Sequence, residues 1–168
     1  MKSKIIAFAK RYAKDLLFLI VLLIGIDWWQ SRHLLGGSLP INLKTEIFAQ
    51  LEGDATQLLQ GRSATLVYIF APWCGVCRLS AHHLNGLKSE SLQVKSLALS
   101  WKDAEDVRKF VAETGLEGPV LLGSESAGEA LQVDSFPSYY LISGEGEVLR
   151  AWSGYTSKLG LWLRSRRF

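Results

Sequence analysis

The feature that most constrains the fold of this chain is a junction between a strand and two cysteines. Residues Thr65–Ala71 form a continuous β-prone run, which is typical of a strand buried on both faces. The segment Pro72–Cys77 follows at once, and a helical pattern continues from it to about Leu87. The sequence therefore predicts a strand that ends in a turn, with both cysteines at the start of the next helix.

The rest of the chain alternates predicted strands and helices. Upstream we predict a hairpin from Ile47–Leu51 through the turn Glu52–Asp54, and a helical turn that Thr56 caps and that reaches Gln60. Downstream, the predicted elements are Val94–Ser100 (strand), Asp103–Thr114 (helix), Pro119–Leu122 (strand), Ser126–Val133 (helix), Ser138–Ile142 and Glu147–Trp152 (strands), and a final helix capped by Thr156. The short Gly-rich turn Ser143–Gly146 makes the last two strands an antiparallel hairpin. The pattern predicts fold class α/β, with a central mixed sheet covered by helices on both faces.

The N-terminal residues predict a membrane anchor. Residues 1–14 carry five cations and no acid, namely Lys2, Lys4, Lys10, Arg11 and Lys14. The uninterrupted apolar run Leu16–Ile26 is shorter than the ~20 residues that a spanning helix needs. The mostly apolar stretch Ile5–Ala13 and the pair Trp28–Trp29 extend it to an adequate length, with the tryptophans at the far interface. We therefore predict one N-terminal transmembrane helix.

Two other interpretations of this segment stay open. A cleaved signal peptide has the same order of charge and apolar residues, but Asp27–Arg32 lacks the small residues of a cleavage site. A helix buried in a soluble protein is the other interpretation. Both are weaker than an uncleaved signal-anchor.

The distribution of charge predicts the topology. Cations precede the apolar run, so the N-terminus is expected in the cytoplasm and the rest on the exported side, although Arg32 and His33 weaken the asymmetry. In a bacterium this means a single-pass protein of the inner membrane with a periplasmic domain, where disulfides persist. The expected division is 1–35 for the basic tip and anchor, 36–40 for a linker and 41–168 for the exported domain.

The composition of the exported part excludes two classes of protein. The whole chain has 19 basic and 16 acidic residues, but residues 30–168 contain 14 of each. No basic stripe is interleaved with aromatic residues, so we expect no nucleic-acid partner. Arg164–Arg167 is interpreted as a solubilising tail, with contact to anionic lipid as the alternative. The hydrophobic content of the whole chain is 48%, which excludes a disordered protein.

The two cysteines of the chain, Cys74 and Cys77, carry the predicted chemistry. A cysteine at the start of a helix faces unpaired backbone N–H groups and the positive end of the helix dipole, which favour the thiolate nucleophile. Cys74 is therefore placed to attack a disulfide, and Cys77, one turn further, is close enough to resolve the mixed disulfide. We expect no cofactor and no metal, although His82 and His83 on the same helix leave a copper or zinc site as an alternative.

The segment Phe70–Cys77 resembles the active site of thioredoxin. The layout over residues 38–160 resembles the membrane-anchored TlpA/ResA/CcmG-type proteins, with Trp101–Gly118 providing room for the extra strand and helix of that branch, and it is also similar to the suppressor-of-copper-sensitivity protein D type. The resemblance implies a thioredoxin-like fold and a thiol–disulfide oxidoreductase. Its implied partners are exported cysteine-containing proteins and a transmembrane thiol electron donor.

The resemblance also implies roles for five residues. Cys74 would be the attacking cysteine and Cys77 the resolving one. Trp73 would form a flat apolar surface beside them. Pro137 resembles the cis-proline that faces the cysteines in this family, where Phe136 would offer its backbone groups to an extended substrate segment.

The sequence departs from the thioredoxin pattern at two positions. Tyr68 stands where thioredoxins place a buried aspartate, and Glu52 and Asp134 are candidates to replace that carboxylate. Phe136 is bulkier than the small or β-branched residue that is usual before the cis-proline in this family, a difference that bears on the choice of client.

The direction of electron flow is the least determined property. Gly75 and Val76, between the cysteines, match neither a strong reductant nor a strong oxidant. By analogy with the anchored relatives we expect a reductive or isomerase-like role, in cytochrome c maturation or in tolerance of copper or oxidative stress. Two alternatives stay open: a copper-binding module that uses Cys74 and Cys77, and a non-catalytic interaction domain with a structural disulfide.

Overall fold

The computed structural model describes residues 2–61 and 63–165, with side chains for all of these except 2–11, 27, 28, 30 and 31. The chain divides into two compact units, residues 1–32 and residues 33–168.

The first unit is a single helix, α1, at Lys2–Ser31. From Leu16 to Ile26 its large apolar side chains are exposed. Within the described residues, no helix reaches the length and apolarity needed to cross a membrane. The transmembrane anchor therefore stays a prediction, and the side chains of Lys2, Lys4, Lys10, Arg11 and Trp28, on which it partly rests, lie outside the described set.

The second unit contains eight strands, five helices and a 3-10 turn in its described part. In chain order these are β1 (Gly37–Ser38), α2 (Ile41–Thr45), β2 (Ile47–Gln50), β3 (Thr56–Gln57), β4 (Ala64–Phe70), α3 (Gly75–Ala81), the 3-10 turn (His82–Leu84), β5 (Leu92–Ala98), α4 (Ala104–Thr114), β6 (Val120–Leu122), α5 (Glu125–Ala130), β7 (Ser138–Ile142), β8 (Glu147–Ser153) and α6 (Lys158–Ser165).

The strands form one mixed sheet in the order β1-β8-β7-β4-β5-β6-β2-β3. The predicted cysteine strand, β4, lies in the middle, parallel to β5 and antiparallel to β7. The hairpins β2–β3 and β7–β8 are antiparallel, as the sequence predicts. The mixed α/β sheet is thus confirmed, and its register places the end of β4 beside the start of β7.

The alternation of side chains along β4 builds two cores. Leu66, Tyr68 and Phe70 enter a core shared with residues of α3, α4 and α6. Val67 and Ile69 enter the opposite core, which includes residues of α2 and α5. Both faces of the sheet are therefore covered by helices, and this expectation is confirmed.

The ends of α4 follow from local chemistry. Asp103 is the N-cap, and its carboxylate accepts a hydrogen bond from the backbone N–H of Glu105 at 2.9 Å. Gly115 ends the helix in the left-handed conformation, with φ of 63°, which glycine adopts without a Cβ penalty. The predicted helix Asp103–Thr114 is confirmed.

Three local predictions are wrong. Thr56 does not cap a helix, because its backbone pairs with Phe48 in the β2–β3 hairpin. The helix after the cysteines does not continue to Leu87: α3 ends at Ala81, and after the 3-10 turn the chain reverses at Gly86, which has φ of 76°.

The third wrong prediction concerns the start of α6. The hydroxyl of Ser157, rather than that of Thr156, accepts a hydrogen bond from the N–H of Gly160. The hydroxyl of Thr156 instead accepts a hydrogen bond from the indole N–H of Trp152 at 3.1 Å. In addition, β1 lies within the segment 36–40 and pairs with Glu147 and Val148 of β8, so these residues add an edge strand to the sheet.

Candidate active site

The junction of β4 and α3 positions the first cysteine. The backbone N–H of Cys74 bonds to the carbonyl oxygen of Ala71 at 3.0 Å, which closes the turn after β4. Cys74 has extended dihedral angles and is the N-cap of α3, with its Sγ accepting a hydrogen bond from the N–H of Cys77 at 3.1 Å. In the reduced protein the same N–H stabilises a Cys74 thiolate over the thiol.

Cys74 and Cys77 form a disulfide, with their Cα atoms 5.2 Å apart. The two sulfurs differ in access, since Cys74 is 6% exposed and Cys77 is fully buried. Exchange requires an incoming sulfur to reach the atom that it attacks. The geometry therefore admits a partner at Cys74 and shields Cys77.

The predicted proline lies opposite the disulfide. The Phe136–Pro137 peptide bond is cis, and the Phe136 carbonyl oxygen lies 3.6 Å from the Sγ of Cys74. This approach is a product of the sheet, because Ser138, the first residue of β7, pairs with Ile69 near the end of β4. The sheet thus brings Phe136 into contact with Cys74, although the two residues are 62 positions apart in the sequence.

Trp73 completes the surface around the disulfide. Its side chain is 67% exposed, and its indole N–H donates a hydrogen bond to the carbonyl oxygen of Ser100 at 3.1 Å. Its ring meets that of half-buried Phe136 edge-on, at 5.8 Å between centroids. The structure thus brings together all five predicted site residues.

The position of the thioredoxin aspartate is occupied by a fully buried tyrosine. The hydroxyl of Tyr68 donates a hydrogen bond to the backbone carbonyl oxygen of Cys77 at 2.9 Å. Burial, and secondarily the neighbouring Tyr139, raise the pKa of Tyr68 far above its ordinary value near 10. The two candidate replacements, Glu52 and Asp134, are exposed on loops, so neither supplies a buried carboxylate.

Tyr139 is a residue that the sequence analysis missed. It is fully buried, lies 5.3 Å from Tyr68 between ring centroids, and stacks on Trp152 at 5.1 Å. Its hydroxyl makes no hydrogen bond of ordinary geometry within the described part of the chain. Burial raises its pKa to about 12, although the nearby hydroxyls of Ser80 and Thr156 lower it. Its position two residues after Pro137, on a strand whose alternate side chains share a face, was the available signal.

A groove of about 890 Å³ begins at Phe136 and runs beside Trp101. Its rim carries the exposed carboxylates of Glu125, Glu129 and Asp134. The non-glycine residues with positive φ in the described chain, Ser100 and Gln132, also line it. No local pattern predicts this groove, because it lies between loops that follow different strands.

The histidines after the cysteines do not extend the site. His83 Nδ1 lies 3.1 Å from the carbonyl oxygen of Thr156, and the His82 ring contacts that of His83. Among the described residues, no three side chains of His, Cys, Asp and Glu are grouped to hold a metal ion. Two of the three arginines in the predicted solubilising tail, Arg166 and Arg167, lie outside the described residues.

Comparison with known proteins agrees with this geometry. The Redoxin family model matches residues 46–158. A thioredoxin-like protein of Haemophilus influenzae is 27% identical over 128 residues, which are 74% of this chain and 76% of that protein. The thiol:disulfide interchange protein HelX of Rhodobacter capsulatus is 29% identical over 94 residues, which are 53% of this chain and 51% of HelX.

A solved structure shows the same fold. A secreted disulfide oxidoreductase of Mycobacterium tuberculosis, homologous to DsbE of Escherichia coli, superposes with a TM-score of 0.66 at 17% identity and covers 77% of this chain and 100% of its own. The fold is therefore the thioredoxin-like α/β fold. The similarity to HelX and to thioredoxin-like proteins supports the resemblance to the TlpA/ResA/CcmG-type proteins. Since the family model covers well over half of the chain, the protein belongs to the Redoxin family and is a thiol–disulfide oxidoreductase.

Proposed function

We propose that Cys74 is the attacking cysteine and Cys77 the resolving cysteine. The observation that carries this assignment is the difference in access between the two sulfurs, together with the Cys77 N–H that faces the Cys74 Sγ at 3.1 Å. The Cys74 thiolate attacks a client disulfide, forms a mixed disulfide and releases one client thiolate. Cys77, as its thiolate, then attacks the Cys74 sulfur and releases the second. Two electrons pass to the client, whose sulfurs take up two protons, and the Cys74–Cys77 disulfide is formed.

The client is proposed to bind as an extended segment across Phe136. The Phe136 carbonyl oxygen near the Cys74 Sγ offers an acceptor for a client backbone N–H, and Pro137 brings no competing N–H. The exposed Trp73 ring provides apolar contact on one side of the client cysteine. The groove beside Trp101 receives residues that flank that cysteine.

The proposed clients are exported cysteine-containing proteins, and the proposed direction is reductive or isomerase-like. The relative HelX is a thiol:disulfide interchange protein, which supports protein disulfides as the substrate class. A role in cytochrome c maturation or in tolerance of copper or oxidative stress fits this direction. The reaction leaves the protein oxidised, so each cycle needs a thiol electron donor, which we propose to be a transmembrane protein.

We propose that α1 tethers the enzyme to the bacterial inner membrane, with residues 1–35 as the cytoplasmic tip and signal-anchor and 41–168 as the periplasmic domain. The segment 36–40, expected as a linker, contributes β1 to the sheet of that domain. The helix has 30 residues, which corresponds to about 45 Å. Its exposed apolar side chains between Leu16 and Ile26 support burial in lipid. Five cations in residues 1–14 support a cytoplasmic N-terminus.

The test of the proposed roles is the trapping of mixed disulfides. In Cys77→Ala the second step is absent, so client proteins should accumulate as adducts on Cys74. The matched control, Cys74→Ala, retains a cysteine that is buried and should form no adducts. Equal trapping by both variants, or failure of the purified protein to exchange disulfides, would contradict the assignment.

The direction of electron flow needs a separate measurement. The reduction potential of the Cys74–Cys77 pair, compared with the redox state of the pair in cells, distinguishes the alternatives. A pair that is mainly dithiol in an oxidising compartment supports the reductive role, because a donor must maintain it. A pair that is mainly disulfide contradicts that role.

A further inference from the structure

A second cavity near the disulfide shares a wall with the groove. Its volume is about 690 Å³, and Ser100 and Trp101 line both cavities. The indole N–H of Trp101 donates a hydrogen bond to the carbonyl oxygen of Gly123 at 2.9 Å, which fixes the ring as part of that wall. We call the second cavity the hollow, and its remaining lining consists of Pro72, Trp73, Arg78, Lys102, Asp106 and Lys109.

The groove carries negative charge that no ion pair neutralises. Glu125, Glu129 and Asp134 line it, and none of them makes an ion pair within the described part of the chain. Glu125 and Glu129 are four residues apart on α5, a spacing at which like charges repel each other. The described residues that line the groove include no lysine, arginine or histidine. A cation that enters the groove therefore relieves repulsion among its carboxylates.

The hollow has the opposite charge. Arg78 and Lys109 share the carboxylate of Glu113, whereas Lys102 is exposed and makes no ion pair among the described residues. Asp106 is the one acid in the described lining of the hollow. The three cations thus outnumber the carboxylates of Asp106 and Glu113, and Lys102 is free to meet an anion.

Both cavities reach residues that adjoin the disulfide. The groove begins at Phe136, whose carbonyl oxygen lies 3.6 Å from the Cys74 Sγ. The hollow reaches Trp73, whose indole N–H donates a hydrogen bond to the carbonyl oxygen of Ser100 in the shared wall at 3.1 Å. A polypeptide that reacts at Cys74 and extends past Phe136 and Trp73 therefore meets both cavities. Clefts lined by one sign of charge attract groups of the opposite sign and suppress wrong partners.

We propose that the enzyme selects client segments in which a basic and an acidic residue are neighbours close to the reactive cysteine. The basic side chain enters the groove, towards Glu125 and Glu129, and the acidic side chain enters the hollow, towards Lys102. Successive side chains of an extended segment point to opposite sides, so a segment that lies along Trp101 delivers the pair to the two cavities. This proposal rests on the proposed binding of an extended client at Phe136.

The test uses the reduced enzyme and short peptides whose single cysteine carries a 2-thiopyridyl group. The Cys74 thiolate attacks the peptide sulfur and releases 2-thiopyridone, whose absorbance gives a second-order rate constant, and Cys77 then releases the peptide thiolate as the Cys74–Cys77 disulfide forms. The peptides differ in one pair of residues beside the cysteine, which is one Lys with one Glu in either order, two Lys, two Glu or two Ala. The pair precedes the cysteine in one set of peptides and follows it in the other. Each rate constant is divided by that of dithiothreitol with the same peptide, which removes differences in intrinsic reactivity.

We expect a mixed pair to react roughly tenfold faster than the alanine pair, in at least one of the two sets, at an ionic strength of ~0.01 M. At ~1 M, where the Debye length is only ~3 Å, the advantage should fall below about twofold. Two lysines or two glutamates should react more slowly than the mixed pair, because one side chain of each then meets a cavity of its own charge.

Substitutions assign each charge to its cavity. The double variant E125Q/E129Q should lose the advantage of the basic residue, and Lys102→Gln should lose that of the acidic residue. The matched controls Glu117→Gln and Lys88→Gln remove exposed charges that line neither cavity, and both should retain the preference of the wild type. An unchanged midpoint of thermal unfolding shows that each variant is folded.

The outcomes separate the charge selection from the proposed reaction. Equal rate constants for all pairs would overturn the selection, while release of 2-thiopyridone from the alanine peptide would leave the proposed roles of the cysteines standing. If no peptide gives release that depends on Cys74, the proposed reaction itself is wrong. A preference for two lysines over the mixed pair, or one that persists in both cavity variants, would also overturn the selection.

Discussion

The hydroxyl of Tyr68 donates a hydrogen bond to the backbone carbonyl oxygen of Cys77 at 2.9 Å, from within the core beneath the disulfide. Tyr68, which stands where thioredoxins have a buried aspartate, therefore contacts the backbone of α3. Because burial raises its pKa, its hydroxyl stays protonated at neutral pH and does not act as a base. Tyr68 is accordingly a positioning residue for the helix that carries both cysteines. The neighbouring Tyr139 provides a natural comparison, because its buried hydroxyl has only the poorly aligned hydroxyls of Ser80 and Thr156 beside it in the described structure.

The first prediction concerns this pair of tyrosines at neutral pH. Tyr68→Phe should lower the free energy of unfolding by about 1 kcal/mol, because a buried hydrogen bond is lost. Tyr139→Phe should change stability less than Tyr68→Phe, because the hydroxyl that it removes is buried without a hydrogen bond of ordinary geometry. Urea unfolding of the oxidised proteins measures both values. An equal loss in the two variants would show that the hydrogen bond from Tyr68 to the Cys77 carbonyl oxygen does not account for the effect.

The second prediction is a loss of stability at alkaline pH. Burial raises the pKa of Tyr139 to about 12 in the folded protein, whereas an unfolded tyrosine titrates near 10. A raised folded pKa contributes stability that is complete below pH 10 and is lost as the pH rises through 12. The two-unit difference corresponds to about 2–3 kcal/mol. Urea unfolding between pH 8 and pH 12 should show a steeper fall for the wild type than for Tyr139→Phe, and parallel curves would contradict the shift.

The third prediction concerns the reduced enzyme. Iodoacetamide should alkylate Cys74 at least about tenfold faster than Cys77, because Cys74 is the accessible cysteine and faces the Cys77 N–H. Mass spectrometry of peptides after brief labelling gives the ratio. Cys74→Ser is the control, in which alkylation of Cys77 should remain slow. Rapid labelling of Cys77 in that variant would show that its burial is not maintained.

The fourth prediction tests Trp73 as a client contact. Because Trp73 is largely exposed, Trp73→Ala should change the free energy of unfolding by less than about 1 kcal/mol. It should raise KM for a protein disulfide several-fold and leave reaction with a small dithiol nearly unchanged, since the small molecule does not need the apolar surface. Leu79→Ala, also exposed on the helix that carries the cysteines, is the matched control. A parallel loss with both substrates would indicate damage to the disulfide itself.

The elements that could be predicted from the sequence are those with a local signal. The continuous run in β4 and the cap at Asp103 depend on residues close in the chain, and both were confirmed. Thr56 has the residue type of a helix cap, but its backbone is engaged by the β2–β3 hairpin, which a single position does not reveal. A pattern that extends over several residues thus predicts an element correctly. A single residue type does not, where strand pairing decides the backbone conformation.

The site shows the same division. The two cysteines could be assigned to a helix start from their neighbours, because the turn and the cap are local. The contact of Tyr68 with the Cys77 carbonyl oxygen depends on how α3 packs over β4, and the groove depends on loops after β5 and β6. These features arise from tertiary structure, so residue spacing alone could not predict them.

The meeting of Cys74 with Phe136 has a consequence for the time at which the enzyme acquires its activity. The two cysteines are three positions apart, so their disulfide can form as soon as both have been synthesised. Phe136 and Pro137 reach the disulfide only when β7 pairs with β4, which requires the chain to be complete to Ile142. An unfinished chain therefore carries a redox pair without the surface that selects its clients, and selectivity appears with completion of the sheet.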